Sequence, residues 1–340
     1  MTEEKILSAA ETTAAGAEST QQSVQLPKKK RKWTVEAVIA LILALIPLIG
    51  FVVFSGFPLV ISLIALFCDV DLYQLGNFTW NSFEGFKVVF LPEYSIATYG
   101  LNMAPYFYKA IGITVWIASV QLVTLLIALA ISVLLATKPK GRKIFQILYF
   151  VPYICSTVAV SLMWRWFFNA ETTGVLNTIL GTEIRWLEEP KYMTWCIIAA
   201  IMWQAPGYGI VMYKAALANV DNAQYEAASL DGANAWQKFW YVTLPGIAPT
   251  TFFLLLSGVS AGFLTYDIAA LIVPDGWTGY IGGKESMGLT LMRLVYWFIQ
   301  NEQLTSSAVS SASVISWVLF VVTATLSIIL FRQREKSMEG

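Results

Sequence analysis

The chain has 340 residues, of which 57% are hydrophobic and only 13% charged, with 22 basic residues, 22 acidic residues and no histidine. A soluble domain carries about 25% charged residues, so this chain has too few polar side chains to cover a globule, and its zero balance excludes a general polyanion binder. The lack of histidine removes imidazole acid–base chemistry, histidine haem ligation and the common zinc sites. Cys68, Cys155 and Cys196 are far apart and odd in number, so they read as small buried hydrophobes and not as a disulfide framework. The composition is that of an integral membrane protein.

In chain order, Met1 to about Pro27 is rich in Ala, Thr, Ser, Glu and Gln and holds no aromatic residue. Such a segment cannot bury enough apolar surface to offset its ordering entropy, and disorder is expected. Lys28-Lys29-Lys30-Arg31-Lys32 has the pattern of a nuclear localisation signal, but ahead of apolar spans it reads as a cytoplasmic anchor. A helix crosses the hydrocarbon core with roughly 20 apolar residues. Windows near 37–67, 111–136, 144–168, 193–217, 247–273 and 309–331 meet that length, which predicts six transmembrane helices. The first window starts too late and is too long for a cleaved secretory signal. It contains Pro47 and Pro58, and a kinked single span is preferred to a broken one.

With the N-terminus inside, an even number of spans returns the C-terminus inside. Fifteen of the 22 basic residues then fall on the cytoplasmic side, while acids divide almost evenly. That bias in Lys and Arg alone is what the positive-inside rule requires, and it gives an N-in, C-in orientation. The outer segments near 68–110, 169–192 and 274–308 are too small for a separate domain. Within the last, Met287, Leu291, Leu294 and Phe298 recur at helical spacing, predicting an interfacial or partly re-entrant helix over Ser286 to Ile299. Neither a tandem repeat nor an inverted repeat is evident.

The inner segment Asn219 to Gly246 differs from an ordinary loop. Helix formers flank an Asp231-Gly232 turn signal; Tyr225, Ala228 and Ser229 share a face before it, and Trp236, Phe239 and Trp240 form an apolar stripe after it. Pro245 ends the second piece. A short helix, a glycine corner and a second short helix are expected on the cytoplasmic face. The aromatic stripe either packs on the chain's own span ends or docks a soluble partner.

Glu226-Ala227-Ala228, three residues, Gly232, nine residues and Val242-x-Leu244-Pro245 resembles the EAA loop of bacterial ABC importer permeases, with Val242 in place of Ile. The form Tyr225-Glu226-Ala227-Ala228-x-x-Asp231-Gly232-Ala233 is similar to the carbohydrate branch of that family, which handles sugars and glycerol-phosphate derivatives. Val151-Pro152-Tyr153, Trp164 and Gly174-Val175-Leu176-Asn177 add to the resemblance, which spans about residues 109–331. Two positions depart from the pattern. Gly112-Ile113-Thr114 stands for an Asn-Thr start, and Val273-Pro274-Asp275-Gly276 replaces a Thr-x-Gly-Gly-Pro stretch.

The resemblance implies an all-α, type I ABC importer permease architecture in the bacterial plasma (inner) membrane. Composition and charge give a disordered tail with basic anchor (1–32), a first span with its extracytoplasmic segment (33–108) and a cytoplasmic tail (332–340), and the resemblance implies a five-span core (109–331) holding the coupling loop 219–246. It further implies a second related permease subunit, two ABC ATPase subunits and an extracytoplasmic solute-binding protein as partners. ATP would be consumed by the partner ATPases, with no cofactor or metal on this chain and no catalytic residue; the chain has no phosphate-binding loop of its own.

Carried over residue by residue, Glu226 would make polar contacts to the ATPase, and Ala227, Ala228 and Ala233 would permit close approach. Asp231 and Gly232 would form the corner, and Leu244 and Pro245 would join it to the next span. By family position, Gln204, Tyr208, Gly258, Gly262 and Thr265 would face the solute. Gly258 and Gly262 read equally well as helix-packing positions.

Asp267, beside Tyr266, is an acid near the outer third of the fifth window, where a charge is costly and invites function. A carboxylate suits sugar hydroxyls and an aromatic face suits sugar C–H groups; pairing with a neighbouring span is the alternative. Arg165 reads as an interface residue and Lys214 as a snorkelling one. The functional expectation is a permease for a di- or oligosaccharide. Alternatives are a glycerol-phosphate-type solute, disfavoured because only Arg165 and Arg293 are cations near the outer half, and an ion-coupled secondary transporter, for which the spans hold few acids.

Overall fold

A computed structural model describes residues 35–70, 78–96, 101–137, 139–170, 174–273, 281–301 and 307–339. The N-terminal tail with its basic run, and Pro274-Asp275-Gly276, lie outside the described residues. The chain divides into two units, Met1–Pro58 and Leu59–Gly340.

The first helical run opens with α1 (Val35–Phe51), passes through a π-helical turn (Val52–Gly56) and continues as α2 (Phe57–Ile64). The wide turn has a local cause. Pro58 has no N–H, and its ring would crowd the carbonyl four residues earlier; widening the preceding turn relieves both without ending the helix. Leu41 to Ile64 is thus one 24-residue span, as expected from the sequence.

In the second unit, an antiparallel hairpin β1 (Cys68–Val70) and β2 (Phe78–Trp80) pairs Cys68 with Trp80. It leads to α3 (Glu84–Phe90) and the short antiparallel pair β3 (Ser95–Ile96) and β4 (Leu101–Asn102). The central helix, α4 (Ala104–Ala136), follows. Beyond it come α5 (Arg142–Ile154), α6 (Thr157–Phe167), α7 (Val175–Leu180), α8 (Pro190–Gln204) and α9 (Pro206–Ala218). The inner segment holds α10 (Asn222–Leu230), α11 (Ala235–Lys238), a second π turn (Phe239–Thr243) and α12 (Leu244–Gly246). The remainder is α13 (Ala248–Phe263), α14 (Asp267–Ile272), a 3₁₀ turn (Lys284–Ser286), α15 (Leu291–Gln300) and α16 (Ala308–Glu339).

Helix α4 passes through three apolar cores formed by the described residues. Its first turns (Phe107, Ala110) meet α15 and α16 through Leu294, Phe298 and Ile315. Its middle (Ile113, Ile117, Val120) meets α8 and α14 through Ile197, Ile201, Ile268 and Ile272. Its last third (Ala128, Leu135) meets α9 and α13 through Ile210, Tyr213 and Leu254. Between membrane helices there is no hydrophobic drive, since lipid tails are as apolar as these side chains. The contacts act through close van der Waals packing, helped where small residues such as Ala110 and Ala128 let helices approach.

Among the described residues, four helices are long and apolar enough to cross a membrane, and up to six if two bent pairs each count as one span. The expected window 144–168 is corrected to α5 and α6, which meet at 101° across Cys155 and Ser156. Both linking residues are extended, and Gln204 Nε2 donates to the Cys155 carbonyl at 3.2 Å, satisfying a group the break leaves free. The window 247–273 is likewise corrected. Its helix bends by 69° at Ile247 and stops at Phe263, and α14 is a separate helix starting at Asp267. The expected helix over 286–299 begins only at Leu291, N-capped by Thr290; Met287 precedes it, while Leu291, Leu294 and Phe298 are buried as their spacing implied.

The cysteines also differ from expectation: Cys196 is buried, Cys68 is intermediate and Cys155, at the α5–α6 break, is exposed.

Candidate functional site

Two constellations carry the sequence-predicted residues. The first is the inner segment, which folds as a braced corner. Asp221 N-caps α10, accepting from Ala223 N at 2.9 Å. At the other end the Gly232 N–H donates to the Ser229 carbonyl (3.1 Å) and the Ala233 N–H to the Ala228 carbonyl (2.9 Å), a two-bond helix stop that needs a left-handed residue between. Gly232 supplies it at φ +78°, and a Cβ there would project into open space. Asn234 and Gln237 then form a reciprocal capping box that starts α11.

Three contacts tie the two arms together. Lys238 Nζ donates to Ser229 Oγ at 2.7 Å, Tyr225 Oη and Thr243 Oγ1 are 3.0 Å apart, and Gly246 sits against Val220, leaving no room for a side chain. Glu226, Ala227, Asp231 and Pro245 are exposed, and Ala228, Ala233 and Leu244 are half-buried. The π turn two residues ahead of Pro245 repeats the arrangement ahead of Pro58.

The aromatic stripe divides. Trp236 and Phe239 turn toward α4 and line an apolar groove with Leu126, Leu129, Ala130 and Val133, so that part packs beside the chain's own span. The outermost apolar side chains are instead Leu230, 90% exposed, and Tyr241, 80% exposed. Periodicity could not single these out, because the corner and the π turn reset the phase on either side.

The second constellation is a cavity of about 600 Å³ between α4, α5, α6, α8, α9, α13 and the start of α14. Gln204, Tyr208, Gly258, Thr265, Tyr266 and Asp267, proposed separately from sequence, all line it. Gly262 does not. A Cβ at Gly262 would lie 2.6 Å from Ala118 Cα, so this glycine serves the close crossing of α13 over α4.

The cavity adds residues that the sequence reading missed: Gln121 and Thr124 from α4, Tyr153 from α5, Thr157 from α6 and Ser257 from α13. Gln121 and Thr124 carried a usable signal, being polar residues inside a long apolar helix. Tyr153 and Tyr208 place their ring centroids 5.6 Å apart, and Tyr266 packs against Tyr296 with centroids 4.7 Å apart and planes inclined at 53°. The wall is thus mostly apolar, from residues such as Leu125, Ile201, Leu254 and Ile268, and it is set with amides, hydroxyls, tyrosine rings and one carboxylate, without a lysine or arginine.

Asp267 is exposed at the first turn of α14. Arg293, read from sequence as a cation near the outer half, is 1% exposed and outside the lining. Lys214 Nζ donates to Gln146 Oε1 at 2.7 Å, bridging α9 and α5. Among the described residues no cluster of three His, Cys, Asp or Glu could hold a metal ion.

A polytopic helical protein with a cavity carrying a few polar groups among broken helices has an architecture that suits a membrane transport component. Residues 126–335 match the family described as the binding-protein-dependent transport system inner membrane component, and the chain belongs to that family. It is therefore a multi-pass inner-membrane protein, a permease component of a transporter and not an enzyme. It is 31% identical to the probable ABC transporter permease protein YesP of Bacillus subtilis, over 84% of this chain and 86% of that one. It is 30% identical to the lactose transport system permease protein LacF of Rhizobium radiobacter, over 67% of this chain and 76% of that one. Among solved structures, a bacterial ABC transporter that imports the acidic polysaccharide alginate shares the fold, with a TM-score of 0.68 at 21% identity over 87% of this chain and 96% of that one.

Proposed function

We propose that this chain is one transmembrane subunit of an ATP-driven importer for an uncharged di- or oligosaccharide. It would pair with a second, related permease, couple to two ATPase subunits and receive solute from an extracytoplasmic binding protein. The observation that carries the reading is the braced corner at Glu226–Ala233, lying inside the region matched to the permease family. A coupling element must be rigid, since a loose loop would dissipate the motion of an ATPase instead of moving helices. Glu226, Ala227 and Asp231 are its exposed contact residues, Ala228 and Ala233 allow close approach, Gly232 sets the corner, and Leu244 and Pro245 pass motion into α13.

The cavity is the solute path, with Gln204, Tyr208, Gly258, Thr265, Tyr266 and Asp267 on its wall. Amides, hydroxyls and a carboxylate suit sugar hydroxyls, and tyrosine faces suit sugar C–H groups. The similarity to a lactose permease supports the saccharide. A glycerol-phosphate-type solute would call for a lysine or arginine, which the lining lacks. Orientation is N-in, C-in, which places the corner on the cytoplasmic side.

The test is purification of the tagged chain from its native membrane in mild detergent, with identification of the co-purifying subunits. The reading predicts an ATPase, a second permease and a binding protein whose sugar can then be screened. A stable preparation without an ATPase, under conditions that preserve importer complexes, would contradict it.

A further inference from the structure

The break between α13 and α14 contains neither proline nor glycine: it reads Leu264-Thr265-Tyr266. What holds it open comes from α15. Thr290 donates its hydroxyl to the Thr265 carbonyl at 2.8 Å while capping its own helix through the Arg293 N–H. One turn on, Arg293 Nη1 donates to the Ala269 carbonyl at 3.0 Å and to the Gly288 carbonyl at 3.2 Å, and Nη2 donates to the Val273 carbonyl. A further turn on, the Tyr296 ring packs against Tyr266 with the two planes inclined at 53°. Thr290, Arg293 and Tyr296 are spaced by three and so share one face of α15.

A buried guanidinium costs free energy unless its donors are met. Here Nη2 meets the Val273 carbonyl at the C-cap of α14, where the helix dipole is negative. Nη1 shares the Ala269 carbonyl with the Val273 N–H, while Nε is buried without a hydrogen-bond acceptor among the described residues. The opposite end of α14 begins with Asp267 on the cavity wall. Helix α14 is thus a short strut, its first residue in the cavity and its last carbonyls in the grip of Arg293.

We propose that Arg293 is a positioning residue for the transport site: by fixing the end of α14 it sets where Tyr266 and Asp267 stand in the cavity, and so sets affinity for the solute. The part concerning affinity rests on the cavity being the solute path. The part concerning position does not.

The experiment uses the full chain in its purified complex, with exposed Cys155 replaced by Ser and Ile272→Cys placed on the buried face of α14. The probe is a membrane-impermeant maleimide, with labelling sites read by mass spectrometry. Native Cys196, in the same apolar cluster on α8, is the internal control. Arg293→Lys retains the charge but loses the planar fork, and it is expected to raise labelling at position 272 about tenfold while Cys196 changes by less than about twofold. Thr290→Val, which removes the bond to Thr265, should act in the same direction and carries the test if the lysine variant does not assemble. Equal rises at both sites, or no rise at either, would overturn the proposal.

In proteoliposomes the same variants should raise the half-saturating concentration of a radiolabelled neutral disaccharide, delivered by the binding protein, with maximal rate held within about twofold. A fall in maximal rate alone would assign Arg293 to folding and overturn its role in affinity. If the wild-type complex moves no saccharide, the proposed function fails, while the labelling result still decides the strut.

Discussion

Gly258 and Gly262 lie one turn apart on α13 and look alike in sequence, but they do different work. A methyl at Gly258 would meet only the flexible end of Leu125, at 3.2 Å, from the cavity side; at Gly262 it would strike Ala118 Cα at 2.6 Å. Gly262→Ala is therefore expected to cost about 1–3 kcal/mol by forcing α13 off α4, read as a lower melting midpoint and poor recovery. Gly258→Ala should fold normally and alter only uptake affinity. Gly232 separates strain from docking in a similar way. Gly232→Ala costs about 1–2 kcal/mol for a left-handed alanine with no clash inside the chain, whereas Gly232→Trp adds a bulky group that points into open space. If the corner seats in a partner, the tryptophan variant inserts normally yet loses coupled uptake, and Glu226→Lys does the same; normal transport by both would remove the coupling assignment. For the solute, Asp267→Asn is expected to raise the half-saturating sugar concentration by about tenfold through loss of a charge-assisted hydrogen bond, measured as uptake against concentration.

At the scale of elements, the features legible in the sequence were those written locally. The corner follows from Gly232 and its caps, and the kinks at Pro58 and Pro245 follow from missing donors and ring crowding. The breaks at 155–156 and 264–266 were not legible, because each is stabilised from far along the chain: Gln204 reaches the Cys155 carbonyl, and Thr290 reaches the Thr265 carbonyl. An apolar window shows only that a segment can be buried, and it reads the same for a straight helix and for two helices at 101°. The hairpin region was equally silent. There Asn81 donates to Ser310 Oγ at 2.8 Å in a buried contact and to Asp69 Oδ1 at 3.2 Å, tying the segment after the first span to α16. Asn81→Ala should destabilise the fold by about 1–3 kcal/mol through the unmet Ser310 and Asp69 groups, and a thermal melt of the purified protein checks it.

For the whole molecule, composition alone gave a membrane protein, and the spacing of one inner segment gave the family to which the chain belongs. The cavity needed the structure, since its wall is drawn from α4 through α14, and only the fold brings Gln121, Tyr153 and Asp267 to one space. The central claim is that this cavity, opened and closed through the braced corner, passes a neutral saccharide at the expense of ATP. It is tested most directly by uptake of labelled neutral di- and oligosaccharides into proteoliposomes holding the purified complex and its binding protein, with and without ATP and with a protonophore present. The account predicts uptake that requires ATP and persists when the ion gradient is collapsed. Uptake that proceeds without ATP and is abolished by the protonophore would contradict it.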